Sequence, residues 1–270
     1  MNDPNFKSVI WQRLFVGAIA LGTLGFGLPA RASNLDRISP DSTSHFQQER
    51  RESPPNPPST PPPNQSEPGG ALNPFASSCN SADDTLKALI PMENPVLTVS
   101  EHPTFFFYVP FSADEVKYGE FSVLLWPGEQ ERLYKTRFAL PEQPGIVSIT
   151  LPATPEYALA EEQYYHWYFQ LYCRDSTIPE PNLEVHGWVQ RVARTPERDR
   201  SIQATLPDIW YDALNLAAEH LQASPQDPQL QQAWRNLLDA IDAGNLAEVT
   251  IVGSVLPVED ESSETQNGEF

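Results

Sequence analysis

The residues whose types could do chemistry are few. They are the histidines His102, His166 and His186, the tryptophans Trp126, Trp167 and Trp188, and the cysteines Cys79 and Cys173. Three histidines can form a metal site, and one can act as a general base. His166 and His186 lie in apolar stretches that read as neighbouring strands, so a pair is conceivable. His102 instead precedes Pro103 at a strand break, and no carboxylate stands at tight ligand spacing to any of the three. The favoured reading is polar positions on strands. No G-x-S-x-G, H-E-x-x-H or phosphate-loop pattern occurs. The acid pairs Asp83-Asp84, Asp114-Glu115 and Glu161-Glu162 read as solvated turns. No catalytic, cofactor-binding or metal residue is therefore expected, and a hydrolase is the least favoured of three functional readings.

The tryptophans allow another chemistry. Rings on a sheet can stack on sugars, so Trp188 and Trp126 are candidates for a carbohydrate platform, while Trp167 falls on a core-facing position. Together with His166 and Tyr168 they make up the candidate ligand or partner surface. The competing reading for both outer tryptophans is contact with the core or with a helix.

These residues are positioned by Glu161–Cys173, EEQYYHWYFQLYC. Side chains alternate across a strand with period two. One face then carries Tyr165, Trp167, Phe169, Leu171 and Cys173. The other carries Tyr164, His166, Tyr168, Gln170 and Tyr172, rings with polar tips that suit a half-covered face. Leu159 stands six residues before Tyr165. That spacing resembles the corner leading into strand F of immunoglobulin-like sandwiches, where a tyrosine hydroxyl bonds to upstream backbone.

Further strands are expected at Leu86–Ile90, in two pieces across Val96–Phe111, and at Gly119–Trp126, Arg132–Leu140, Gly145–Leu151 and Leu183–Val192. Short strands at this spacing, without helical pattern between them, indicate an antiparallel sandwich over residues 79–192. Two cysteines in an exported chain usually pair. A Cys79–Cys173 bridge closes a loop of about 94 residues and would remove about 4–5 kcal/mol of unfolded-chain entropy. Two buried thiols are the alternative.

The period changes over residues 193–242. Thr195-Pro196 is an N-cap followed by proline at the first helical position. Helices follow at 207–223, with Trp210, Ala213, Leu214, Ala217 and Leu221 in one stripe, and at 228–241, with Leu230, Trp234, Leu237 and Ile241. Each has one apolar stripe and neither makes a core alone. The expectation is a helical hairpin packed on the aromatic outer face of the sandwich, with Trp210 or Trp234 near Tyr164, Tyr168 or Trp188.

The ends read differently. Residues 1–32 resemble a secretory signal, with Lys7 and Arg13 ahead of the apolar run Leu14–Leu28 and an Ala30-Arg31-Ala32 cleavage pattern. The run is shorter than the roughly 20 residues a spanning helix needs, although an uncleaved anchor is the rival reading. Residues 33–78 are rich in Pro, Ser, Asn and Gln and read as a disordered linker. Residues 243–270 read as a disordered acidic tail. With 28 prolines and a formal charge of −19 in 270 residues, part of the chain is not expected to be globular. The charge makes nucleic acid an unfavourable partner.

Several stretches together carry a family resemblance: Leu86–Pro91 (LKALIP), Leu97–Phe111 (LTVSEHPTFFFYVPF), Gly145–Pro152 (GIVSITLP), Tyr165–Cys173, Val185–Val192 (VHGWVQRV), Ile209–Leu221 (IWYDALNLAAEHL) and Ala233–Leu238 (AWRNLL). In this order they resemble the cyanobacterial domain-of-unknown-function family numbered 928, over roughly residues 79–242. The resemblance implies an exported cyanobacterial protein and carries no activity or site residues. One departure stands out: a basic Gly/Arg-rich lead is expected before the first cysteine, and here that region is Pro-rich and ends PGGALNPFASSC.

The expectation is a mainly β protein, an immunoglobulin/fibronectin-like sandwich packed against a short C-terminal helical pair. It is exported to the periplasm or beyond, with no stable membrane insertion after cleavage. Its expected role is a non-enzymatic module that binds another envelope protein, with carbohydrate binding as the alternative.

Overall fold

The computed structural model describes residues 61–69, 79, 85–177 and 179–258. The signal-like segment 1–32, most of the linker 33–78 and residues 259–270 of the acidic tail lie outside the described residues.

Among the described residues, two mixed sheets and three α-helices make up the fold. Strands β1 (Lys87–Ala88), β3 (Thr104–Val109), β6 (Gly145–Thr150) and β9 (Ile251–Ser254) form a four-stranded sheet in the order β1-β3-β6-β9. The second sheet contains β2 (Leu97–Thr98), β4 (Val116–Leu125), β5 (Arg132–Ala139), β7 (Tyr164–Cys173), β8 (Leu183–Arg191) and β10 (Leu256–Val258). Its order is β10-β5-β4-β7-β8-β2. The helices are α1 (Pro196–Gln203), α2 (Trp210–Ala223) and α3 (Pro228–Asp239).

The sheets face each other across an aromatic core, giving a sandwich-like arrangement. Phe107 of β3 stacks on Phe169 of β7 with centroids 4.0 Å apart, and Phe105 lies 5.0 Å from Phe121. Trp167 sits 5.6 Å from Phe107, wholly buried. The five residues expected on the core face of β7 are all buried, and its outer residues Tyr164, Tyr168, Gln170 and Tyr172 are half-buried. Gly187 of β8 lies opposite Trp167. A Cβ at Gly187 would fall 2.7 Å from the Trp167 ring and 2.8 Å from Asn64 Oδ1, so only glycine leaves room for the indole. At the entry to β7 the Ala160 N–H donates to the Tyr165 hydroxyl at 3.0 Å, and Leu159 is wholly buried beside it. Cys79 and Cys173 are bonded, with Cα atoms 5.7 Å apart.

Four expectations need correction. First, the sheets are not purely antiparallel, because β2 runs parallel to β8 and β9 parallel to β6. Second, residues 243–258 of the expected acidic tail carry β9 and β10. The run Val249–Val258, VTIVGSVLPV, is apolar enough to complete both sheets. The helices are therefore not the C-terminal element of the fold. Third, within the expected linker, Gln65 pairs with His186 at the edge of β8 through two backbone bonds of 2.9 and 3.1 Å. Asn64, 3% exposed, accepts the Trp188 backbone N–H at 2.9 Å through Oδ1 and donates to Pro91 O at 2.7 Å.

Fourth, the helices do not cover the outer face of β7. Trp234 of α3 meets Phe106, on the side of β3 away from the core, at 6.4 Å. Trp210 donates its indole N–H to Leu89 O at 2.8 Å. Tyr211 enters the core beside Phe105 at 5.1 Å, accepts the Trp167 indole N–H at 2.9 Å and donates to Trp188 O. The reason lies in β3, TFFFYV, which places large apolar rings on both of its faces. The second face loses more by exposure than the polar-tipped face of β7, so the helices go there. Their ends follow local rules. Thr195 caps α1, accepting from Arg198 N–H, and Asp227 caps α3, accepting from Gln229 and Leu230 N–H. Asp212 ties α2 to β2, accepting from Thr98 Oγ1 at 2.7 Å and Val99 N at 3.0 Å.

Candidate functional site: the Glu129–His166–His186 face

Register places the outer face. In the antiparallel pairing of β7 with β8, His166 opposes Trp188, Tyr168 opposes His186 and Gln170 opposes Glu184. Opposed residues share a face. On the other side β4 supplies Leu124 beside His166, Ser122 beside Tyr168 and Glu120 beside Gln170.

The turn from β4 to β5 folds over one end of this face. Gly128 has φ +96° and Glu129 φ +52°, the left-handed conformations that reverse the chain. The Trp126 N–H donates to Tyr164 O at 3.0 Å, and the Gln163 side-chain amide donates to Trp126 O, which pins the turn to the start of β7. The turn delivers Glu129 to the sheet. Its Oε1 lies 2.5 Å from His166 Nδ1, and its Oε2 accepts the Tyr168 hydroxyl at 2.9 Å. His166 Nε2 lies 2.9 Å from His186 Nδ1.

Proton bookkeeping fixes the tautomers when Glu129 is ionised. A carboxylate only accepts, so His166 Nδ1 carries its proton. His166 Nε2 is then a lone pair and accepts from His186 Nδ1–H. Of the four ring nitrogens, only His186 Nε2 is left over. The order carboxylate–imidazole–imidazole thus ends on one accepting nitrogen at a half-buried histidine.

Rings enclose the buried member. His166, 4% exposed, stacks on Trp188 at 4.1 Å with 12° between planes. Trp126 stands edge-on to Trp188 at 5.9 Å, and Tyr168 lies 4.2 Å from His166. Burial lowers His166 to about 4 despite the pull of Glu129 in the other direction. Burial also lowers His186, against Glu184 and Glu129. Tyr168 is raised by burial and then by its bond to Glu129. Both imidazoles are therefore neutral near pH 7.

The face continues away from this cluster. Gln170 donates to Glu184 Oε2 at 2.5 Å. Glu120 takes Lys135 at 2.7 Å and Arg137 at 3.6 Å. Tyr118 stacks on Tyr172 at 4.5 Å, with the Arg137 guanidinium 4.9 Å above the Tyr118 ring.

Trp126, His166, Tyr168 and Trp188 therefore converge on one place, and His186 joins them. Trp188 is only 2% exposed, so it is not the open stacking surface a carbohydrate platform requires. Its ring is enclosed by His166 and Trp126. His102 lies elsewhere. Its ring borders a polar cleft of about 490 Å³ with Asp212 and Arg194 between the β2–β3 connection and helices α1 and α2. Sequence reasoning missed Glu129 and the Asn64–Gln65 pair. The only signal for Glu129 is a carboxylate just after the Pro127-Gly128 turn, and the partner it reaches is 37 residues away. Among the described residues, no group of three or more His, Cys, Asp or Glu side chains is placed to hold a metal ion, and no helix is long and apolar enough to cross a membrane.

No curated protein matches the chain. The family model described as Domain of Unknown Function (DUF928) matches residues 67–251, from just beyond the Asn64–Gln65 pair to the first residue of β9, and the chain belongs to that family.

Proposed function

We propose that the protein is an exported, non-enzymatic binding module of the cell envelope, and that the outer face of the six-stranded sheet docks another envelope protein. The observation that carries this reading is the outer row of β7. Tyr164, Tyr168, Gln170 and Tyr172 stand half-exposed on a rigid sheet, and among the described residues α2 packs against β2 and β3 instead. Rigid rings with polar tips, flanked by an arginine, are the residue types that dominate binding energy in protein interfaces. The histidine chain leaves one accepting nitrogen, His186 Nε2, beside this face. Export is supported by the signal-like segment and by the Cys79–Cys173 bridge. The finer fold assignment, an immunoglobulin-like sandwich, rests on the Leu159–Tyr165 corner.

Carbohydrate binding is the second reading. In place of the enclosed Trp188 it would use the stacked pair Tyr118 and Tyr172.

Site-specific photo-cross-linking from the full chain in its envelope distinguishes them. A cross-linker at Gln170 or Tyr172 is expected to trap one discrete protein, and a cross-linker at exposed Gln232 on α3 is not. Trapping from Gln232 alone would overturn the assignment of the face. Polysaccharide adducts in place of protein would favour the second reading.

A further inference from the structure

We infer that the groove between β1 and the edge of β8 is a peptide-binding site that reads an extended Pro-x-x-Asn-x-x-Glu segment, and that residues 61–67 are a tethered ligand filling it in cis. The groove is a different surface from the outer face of the six-stranded sheet, and neither reading rests on the other.

The walls of the groove are main-chain groups that point at the segment from both sides. Ala88 N–H donates to Ser66 O at 2.7 Å, His186 N–H to Gln65 O at 3.1 Å and Trp188 N–H to Asn64 Oδ1 at 2.9 Å. In return, Met92 O accepts from Asn64 N at 3.1 Å, His186 O from Gln65 N at 2.9 Å and Pro91 O from Asn64 Nδ2 at 2.7 Å. Without the segment these groups would form an unpaired edge, the template to which extended peptides add. Further along the same edge of β8, Gln190 N–H and Val192 N–H bond instead to Val96 O at 3.0 Å and Thr98 O at 2.8 Å. The family match over residues 67–251 contains both walls and β2, whereas residues 61–66 come from outside it.

Anchors at every third residue supply the specificity. Pro61 and Asn64 are buried, the intervening Pro62 and Pro63 are exposed, and Glu67 pairs with Lys87 at 2.9 Å. Asn64 is the most exacting anchor. Its carboxamide offers an acceptor to Trp188 N–H and a donor to Pro91 O. An aspartate there would set an acceptor against the Pro91 carbonyl. Gly187 makes the room, since a Cβ on it would fall 2.8 Å from Asn64 Oδ1. Asn94 Nδ2 adds a donor to Pro62 O. A cleft of about 480 Å³, bordered by Glu67, Lys87, Met92, His186 and Asp242, opens beside the segment and leaves one side of it uncovered.

The ligand class follows from these anchors. It is an extended peptide whose asparagine stands three residues after a proline and three before a carboxylate. The chain carries its own copy on a short tether, with Glu67 only 20 residues before its partner Lys87. A short tether gives a high effective concentration, so a free peptide enters only where the tethered copy has been unseated.

The test uses a fluorescent synthetic peptide of residues 59–69 and the full-length chain, read by anisotropy. The Asn64→Ala/Gln65→Pro chain loses the carboxamide and the N–H that donates to His186 O, which unseats the tether. The peptide is expected to bind this variant at least about tenfold tighter than it binds wild type, and an Asn64→Asp peptide is expected to bind at least about tenfold more weakly. Absence of saturable binding to the folded variant, or equal binding of the two peptides, would overturn the proposal. Amide hydrogen exchange on the wild-type chain gives a second reading that does not need the variant to fold. The Ala88, His186 and Trp188 amides are expected to exchange together, at least about tenfold faster than Gln190 and Val192, through release of the segment alone. Exchange of all five at one rate would show that the segment is a fixed part of the core and would also overturn the proposal.

Discussion

His166 Nε2 and His186 Nδ1 lie 2.9 Å apart across adjacent strands, and only one proton occupies the gap. The two imidazoles cannot both present donors there, so the protonation of one is set by the other and by Glu129 behind it. The geometry makes the stability of the fold depend on pH.

The direction follows from linkage. His166 is lowered from 6.5 to about 4 in the folded chain, so between those values the unfolded chain binds more protons. Its contribution is complete above pH 6.5 and is lost as pH falls toward 4. Its size is at most about 3 kcal/mol at 1.36 kcal/mol per pH unit. Urea unfolding at pH 7 and 4.5 should show wild type losing about 2 kcal/mol more than His166→Asn, which keeps a donor toward Glu129 but does not titrate. Equal losses would remove His166 as the cause.

Tyr211→Phe should destabilise the fold by about 1–3 kcal/mol, because it leaves the wholly buried Trp167 indole N–H without an acceptor. Denaturant midpoints measure this. A neutral result would mean that Trp167 finds another acceptor.

Gly187→Ala should cost about 1–3 kcal/mol, since a methyl group there meets Trp167 and Ile90 at 2.7 Å. The same melts apply, and the near-ultraviolet circular dichroism of Trp167 should change with them. An unchanged spectrum and midpoint would mean that the core has slack at this position.

Trp234→Ala should cost about 3–5 kcal/mol, because Trp234 is wholly buried against Phe106. A chain cut after Val192 should fare worse, losing α1–α3 together with β9 and β10. A truncated protein with an unaltered melting temperature would show that neither the helices nor the last two strands support the core.

The sequence made some of this legible. The alternation in Tyr164–Cys173 identifies the buried and outer faces of β7 because period two is a local property. The caps at Thr195 and Asp227 and the Cys79–Cys173 pair are legible for similar reasons, few residues and strong local chemistry. The docking side of the helices was not, because the polar-tipped row on β7 and Phe106 on β3, whose aromatic neighbours Phe105 and Phe107 face the other way, both present rings that a helix can cover. The β9–β10 run was hidden by the acidic residues that follow it. Glu129 was not legible at all, because it joins a turn to a strand residue 37 positions away.

The most direct measurement for the central claim is equilibrium binding of the protein trapped from the outer face, compared between wild type and Tyr172→Ala. Tyr172 is half-exposed and stacks only along the surface on Tyr118, so its removal should leave the fold intact. The account predicts a Kd at least about tenfold weaker, the loss of one interface ring. An unchanged Kd for Tyr172→Ala, and likewise for Tyr168→Ala, would contradict it.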